Sequence, residues 1–213
     1  MARTKAKSAA ASTGKDTRGE RTRRKIKKTI AALARKKDVP DFTLADICKA
    51  ADITTGAFYF HFKSKEEAIE EMVVDEFHHL YQGLLEAPDS NGLRPFLNDL
   101  VTRITAYHHK QKRLPRALQM TINAAPAIHD SWINERAPLI DKMEALIAEA
   151  RAEKNLGTES SRYLAYYLLN AVEDLGMDAF QWNNPTLSRF AEDSTEWNRK
   201  QIELWSWAVL API

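Results

Sequence analysis

Residues 43–62 read TLADICKAADITTGAFYFHF, and this stretch decides the fold. Thr43 and Asp46 are a helix start signal: a Thr hydroxyl at the cap accepts from the amide three residues on, and the acid reaches back. A helix over 44–50 then sets Leu44, Ile47 and Cys48 inward. Asp52-Ile53 breaks it, and Thr54 is placed to cap a further helix over 55–60. Two short helices joined by a tight turn have the dimensions of a helix-turn-helix, whose second helix enters the DNA major groove. The exposed positions of that helix read as Thr54, Thr55, Gly56, Ala57, Tyr59 and His61, small or hydrogen-bonding groups suited to close approach. Phe58 and Phe62 alternate with them and are expected in the core.

Upstream, residues 18–37 place Ile26, Ile30, Leu33 and Ala34 on one helical face with Lys and Arg around it, and Thr17 with Glu20 forms a capping box. Asp38-Val39-Pro40-Asp41 stops that helix, because the residue before a proline avoids the helical region. Downstream, Ser64 and Glu67 open a long helix over 65–86. Further helices are predicted over 93–110, 115–122, 127–154 with a kink or restart at Pro138, 159–182 and 195–210. The expected fold is all-α: an amino-terminal three-helix DNA-binding domain and a helical carboxy-terminal body.

The 213 residues carry 31 Lys and Arg against 29 Asp and Glu, but the charge is unevenly spread. Residues 1–37 hold 14 of the cations and only two acids, Asp16 and Glu20. A basic end on an acidic body suits a polyanionic partner. Residues 1–16 lack Leu, Ile, Val and Phe, so they hold no apolar run of a secretory signal. A disordered basic arm is expected over 1–17, able to lie along DNA. The head then spans 18–64, a linking helix 65–86, and a ligand-binding and dimerisation part 87–213. The single Cys48 excludes an intramolecular disulfide framework. No apolar run approaches a membrane span, and no partner in a membrane is expected.

From Arg24 to Ile69 the chain resembles the TetR family of bacterial transcriptional regulators (TetR/AcrR type). The residues that carry the likeness are Thr43, Ile47, Ala50-Ala51, Ile53-Thr54, Gly56, Phe58-Tyr59, His61-Phe62 and Ser64-Lys65-Glu66. Asp38 and Asp52 stand where that pattern has glycines, Ala34 and Ala68 replace larger apolar residues, and Cys48 replaces an alanine. Asp tolerates the left-handed region better than most residues, so both turns are expected to survive with some strain. The resemblance implies a cytoplasmic, nucleoid-associated homodimer on a palindromic double-stranded operator, most often as a repressor. It implies a phosphate bond from the Tyr59 hydroxyl. Lys65 and Thr43, each at a helix start, are further phosphate candidates. Thr54, Thr55, Gly56 and Ala57 are candidates for base edges, with His61 on the same face. No Arg, Asn or Gln lies within 54–62, so bidentate base readout from this helix is not expected.

The resemblance also implies a small apolar effector in the body and dimerisation through the last two helices, 159–182 and 195–210. Asn170-Ala171-Val172-Glu173 with Trp205 distantly resembles a subgroup of the family with narrow lipophilic tunnels. Candidate pocket residues are His108, Met120, Trp132, Tyr166, Asn170 and Glu173. A single Glu76-x-x-His79 has no second copy to complete a di-iron site, so no metal or cofactor is expected. In the pairs His78-His79 and His108-His109, one member each is expected inward. No phosphate loop or nucleophile setting is found, and Glu173, Asp174 and Asp178 read as structural acids. An enzyme is therefore not expected. The alternatives are a helical protein binding nucleic acid without sequence preference, and a helical enzyme with an apolar cavity.

Overall fold

The structure is a computed structural model that describes residues 17–86, 92–111 and 113–211. The arm expected over 1–17 falls, but for Thr17, outside the described residues. Every regular element described is helical: α1 (Arg18–Ala34), α2 (Leu44–Ala51), α3 (Thr55–His61), α4 (Lys65–Leu85), α5 (Leu93–Gln111), α6 (Leu114–Ala124), α7 (Pro126–Ala152), α8 (Ser161–Gly176), α9 (Pro185–Ala191) and α10 (Ser194–Leu210).

The starts of the first helices follow the local chemistry. Thr17 and Glu20 cap α1 reciprocally, and Thr43 and Asp46 do the same for α2. The Thr54 hydroxyl accepts from the Ala57 amide at 3.1 Å and opens α3. Ser64 accepts from the Glu67 amide, but the Glu67 carboxylate reaches the Lys63 amide, one residue before the cap. Asp52 ends α2 with φ 50° and ψ 58°, the left-handed conformation expected there. Asp38 differs: at φ −68° and ψ 150° its backbone is extended and unstrained. Its carboxylate instead pairs with Arg113 at 3.4 Å and Arg116 at 3.3 Å, tying the end of α1 to α6.

One apolar cluster runs from Ile26, Ile30, Ile47, Phe58 and Phe62 in the head through Met72, Phe77 and Leu84 of α4 to Leu139, Leu168 and Val209 in the body. The long helix α4 packs on α1 at one end and on α7 at the other. Burial of about 25 cal/mol per Å² of apolar surface is the term that holds such an interface together.

Several expectations about the body are corrected. α7 neither stops nor restarts at Pro138 but runs unbroken through it. Pro138 is exposed, so water can serve the carbonyl it strands, while Leu139, Ile140, Met143 and Ile147 are buried and hold the helix on the core. The stretch 159–182 is not one helix. α8 ends at Gly176, and a wider turn over Met177–Gln181 follows, closed by the Trp182 amide on the Met177 carbonyl at 3.0 Å. α9 was not anticipated; Asn184 caps it and Pro185 occupies its first position, so the chain has a helix between the two expected to be last. His108 is buried and His109 exposed, as expected of that pair, but His78 and His79 both face solvent. His78 meets Glu135 there at 3.0 Å, so its polar partner lies on the outer surface of the bundle.

Candidate functional site

α3 stands out from the head on two buried anchors. Phe58 and Phe62, four residues apart, sit fully in the core. The opposite face carries Thr54, Thr55, Gly56, Tyr59 and Phe60, all exposed, with Ala57 and His61 half-buried. A β-carbon added at Gly56 would meet nothing closer than 3.9 Å, so this face is open to a partner rather than closed by its own chain. Phe60 is not among the positions expected at this face. It is 84% exposed, and its ring stands perpendicular to that of His61, centroids 5.2 Å apart at 87°. The helical period held the signal: Phe60 falls midway between two inward residues and must point outward.

Around α3 the helix starts converge. Thr43 and Thr54 are exposed and already serve as caps through their hydroxyls. Lys65 reaches the Phe42 carbonyl at 3.3 Å and lies 3.9 Å from Glu66, so its ammonium ties the start of α4 to the loop before α2. The end of α3 is braced from α1: Arg23 donates to the His61 carbonyl, forks onto Glu71 of α4, and lies 4.2 Å over the Phe62 ring.

α1 and the turn that follows it present two cationic faces with different fates. On one, Arg23, Lys27 and Arg35 meet Glu71, Asp75 and Glu76 of α4. On the other, Arg21, Lys25, Lys28 and Lys36 are exposed along a shallow groove and pair with no acid among the described residues. Like charges in a row without counter-charges raise the local positive potential and attract polyanions.

The body holds a cavity of about 280 Å³ between α4, α5, α6, α7 and α8. Of the six residues expected at a pocket, His108, Trp132, Asn170 and Glu173 line it. Met120 and Tyr166 do not. Met120 borders a separate crevice with Val39, Lys65 and Ile69, beside the head. Tyr166 lies on the outer side of α8 with the Arg162 guanidinium 5.9 Å over its ring. The register explains it, since Ala165, Leu168 and Leu169 take the inward positions of that helix.

One end of the cavity is a polar network. Trp132 Nε1 donates to the Tyr81 hydroxyl at 3.0 Å, and Tyr81 donates to Glu173 at 2.9 Å. Arg136 binds the second Glu173 oxygen at 3.0 Å and Asn170 Oδ1 at 2.6 Å, with its guanidinium 4.2 Å over Trp132. Burial raises the Glu173 carboxyl, and Arg136 opposes that shift. Burial raises Tyr81 well above the ordinary phenol range. Burial alone lowers His108 to about 4, so its imidazole is neutral at physiological pH. The other walls are mostly apolar, with Phe77, Leu80, Ile104, Leu118, Ile122 and Met177 joined by Gln119 and Asp174. Tyr81 and Arg136 were not anticipated, because neither lies in a motif; only the packing of α4 and α7 on α8 unites them. Among the described residues no group of three or more His, Cys, Asp or Glu is placed to hold a metal ion. No described helix is long and apolar enough to cross a membrane.

A third surface is apolar and bare. Tyr163 and Tyr167 on α8, and Leu204 and Trp207 on α10, are exposed, Trp207 to 74%. α8 and α10 lie against each other, so the four side chains are drawn from neighbouring helices.

Residues 26–72 match the family model described as bacterial regulatory proteins, tetR family. Among solved structures, GusR of Salmonella enterica is 21% identical with a TM-score of 0.66, covering 91% of this chain and 97% of that one. The fatty acid degradation regulator FadR of Bacillus halodurans is 12% identical with a TM-score of 0.67, over 90% and 96%. A transcriptional regulator of Rhodococcus is 16% identical with a TM-score of 0.65, over 90% and 99%. These likenesses are of fold. No curated protein matches the chain by sequence.

Proposed function

We propose that this chain, of the tetR family by its head and of that regulator fold throughout, is a cytoplasmic transcriptional repressor that binds a palindromic operator as a homodimer and leaves it when a small, largely apolar effector enters the body. The observation that carries the reading is the outward face of α3: capped by Thr54, anchored by Phe58 and Phe62, and presenting Thr55, Gly56, Tyr59 and Phe60 to solvent. Thr43, Tyr59 and Lys65 flank it and supply hydroxyls and an ammonium for phosphates; Thr54, Thr55, Gly56, Ala57 and His61 approach the bases. The bare cations of α1 add sequence-independent attraction.

Two copies joined through Tyr163, Tyr167, Leu204 and Trp207 would present two α3 helices to half-sites one helical turn apart, about 34–36 Å. Division into a head over 18–64, a linking α4 and a body beyond it gives each part its task. The cavity takes the effector, and His108, Trp132, Asn170 and Glu173 contact it. Two links lead from the cavity to the head. α4 brings Tyr81 to the polar network, and α6 brings Leu118 to the cavity wall and Arg113 and Arg116 to Asp38. A hundredfold loss of operator affinity needs only about 2.7 kcal/mol of differential effector binding.

Footprinting on the DNA beside the chain's own gene tests the reading. A discrete, two-fold symmetric protection supports it. Uniform protection at every sequence favours binding without sequence preference and overturns it.

A further inference from the structure

We propose that Phe60 reads sequence, packing its ring against the 5-methyl group of thymine in the major groove. The inference rests on the operator-binding role of α3. Phe60 is 84% exposed, more than any other large apolar side chain described, and it lies one turn on from Gly56, on the side of α3 opposite the buried Phe58 and Phe62, with Tyr59 on one flank. Its ring has no polar atom, so it can neither bond a phosphate nor pair with a base edge. Left in water it costs free energy, and what offsets that cost must be apolar. In the major groove the one apolar group a base pair presents is the thymine methyl. The ring has a neighbour whose backbone is anchored. The His61 ring stands perpendicular to it, and the His61 carbonyl is gripped by Arg23. The rest of the helix sharpens the assignment: with no Arg, Asn or Gln in 54–62, the strong bidentate readers are missing and discrimination falls to methyl contacts. Phe60 thus selects T·A over C·G at its position, since C lacks the methyl that it covers.

The test uses the full-length protein and a randomised duplex library, amplified once with thymidine and once with deoxyuridine, which removes only the methyl. Duplexes enriched by the wild type are then compared in both forms. The expected result is about fourfold weaker binding for each methyl removed from under the ring, the loss for one buried methyl group. Phe60→Ala binds the two forms equally, while Phe60→Leu retains part of the difference. Circular dichroism serves as the folding control, and an exposed position should leave it unchanged. If Phe60→Ala keeps the wild-type ratio, the methyls are read elsewhere and the proposal fails. It fails equally if Phe60→Ala weakens every duplex by one factor, which marks a backbone contact. A wild type that enriches a motif without methyl dependence overturns this inference alone. One that enriches no motif overturns the operator reading beneath it.

Discussion

The Tyr81 hydroxyl donates to the Glu173 carboxylate at 2.9 Å, joining α4, which begins at the head, to α8 at the wall of the cavity. Arg136 and Trp132 complete the junction from α7. A ligand that displaced any one of these groups would disturb the others, because each satisfies a neighbour's buried polar atom.

Glu173→Gln should be strongly destabilising. It leaves the buried Arg136 guanidinium with Asn170 as its remaining hydrogen-bond partner, and a broken buried pair costs about 3 kcal/mol. Urea unfolding measures the loss. Replacing both partners, as Glu173→Gln with Arg136→Met, should recover most of it; a double variant no better than the single would refute the pairing.

Acid should weaken the fold through His108. Its pKa falls from 6.5 in the unfolded chain to about 4 in the folded one, so the unfolded state takes up its proton first as pH drops. Stability from this group is complete above pH 6.5 and declines toward pH 4, by up to about 3 kcal/mol. His108→Leu should flatten the stability profile across that window. An unaltered slope would mean that other groups govern it.

Gly176→Ala should destabilise the body although alanine favours helix. The new β-carbon would lie 2.6 Å from His108 Cδ2 and 2.7 Å from its Nε2, so the buried ring must move. Overpacking of this kind costs about 1–3 kcal/mol. Adding His108→Ala should relieve the strain, which a thermal melt of the double variant reads directly.

Replacing Arg21, Lys25 and Lys28 together with Gln should leave stability nearly unchanged, because none has an acidic partner among the described residues. Binding to random-sequence duplexes should weaken, and the slope of log affinity against log salt should shrink by up to about 0.9 for each phosphate no longer neutralised. An unchanged slope would place this face away from DNA.

Trp207→Glu should shift the protein toward monomer in sedimentation experiments, since a charge would replace the most exposed aromatic of the α8 and α10 face. The monomer should bind a two-half-site duplex far more weakly than the dimer. A variant that remains dimeric would place the interface elsewhere.

The sequence by itself determined the head and the all-helical class. Its caps, Thr17, Thr43, Thr54 and Ser64, act within three or four residues, and the inward period of Ile26, Ile30, Phe58 and Phe62 is likewise local. Such signals survive in a linear reading because the atoms that satisfy them are neighbours in the chain. The tertiary structure alone decided that one cationic face of α1 is neutralised and the other bare, that Asp38 is paired with α6, and that Met120 and Tyr166 lie outside the cavity. It alone brought together Tyr81, Trp132, Arg136 and Glu173, which are as far as 92 residues apart in the chain. Their bonds depend on how α4, α7 and α8 are rotated against one another, and that rotation is set by the summed packing of the whole core rather than by any local pattern.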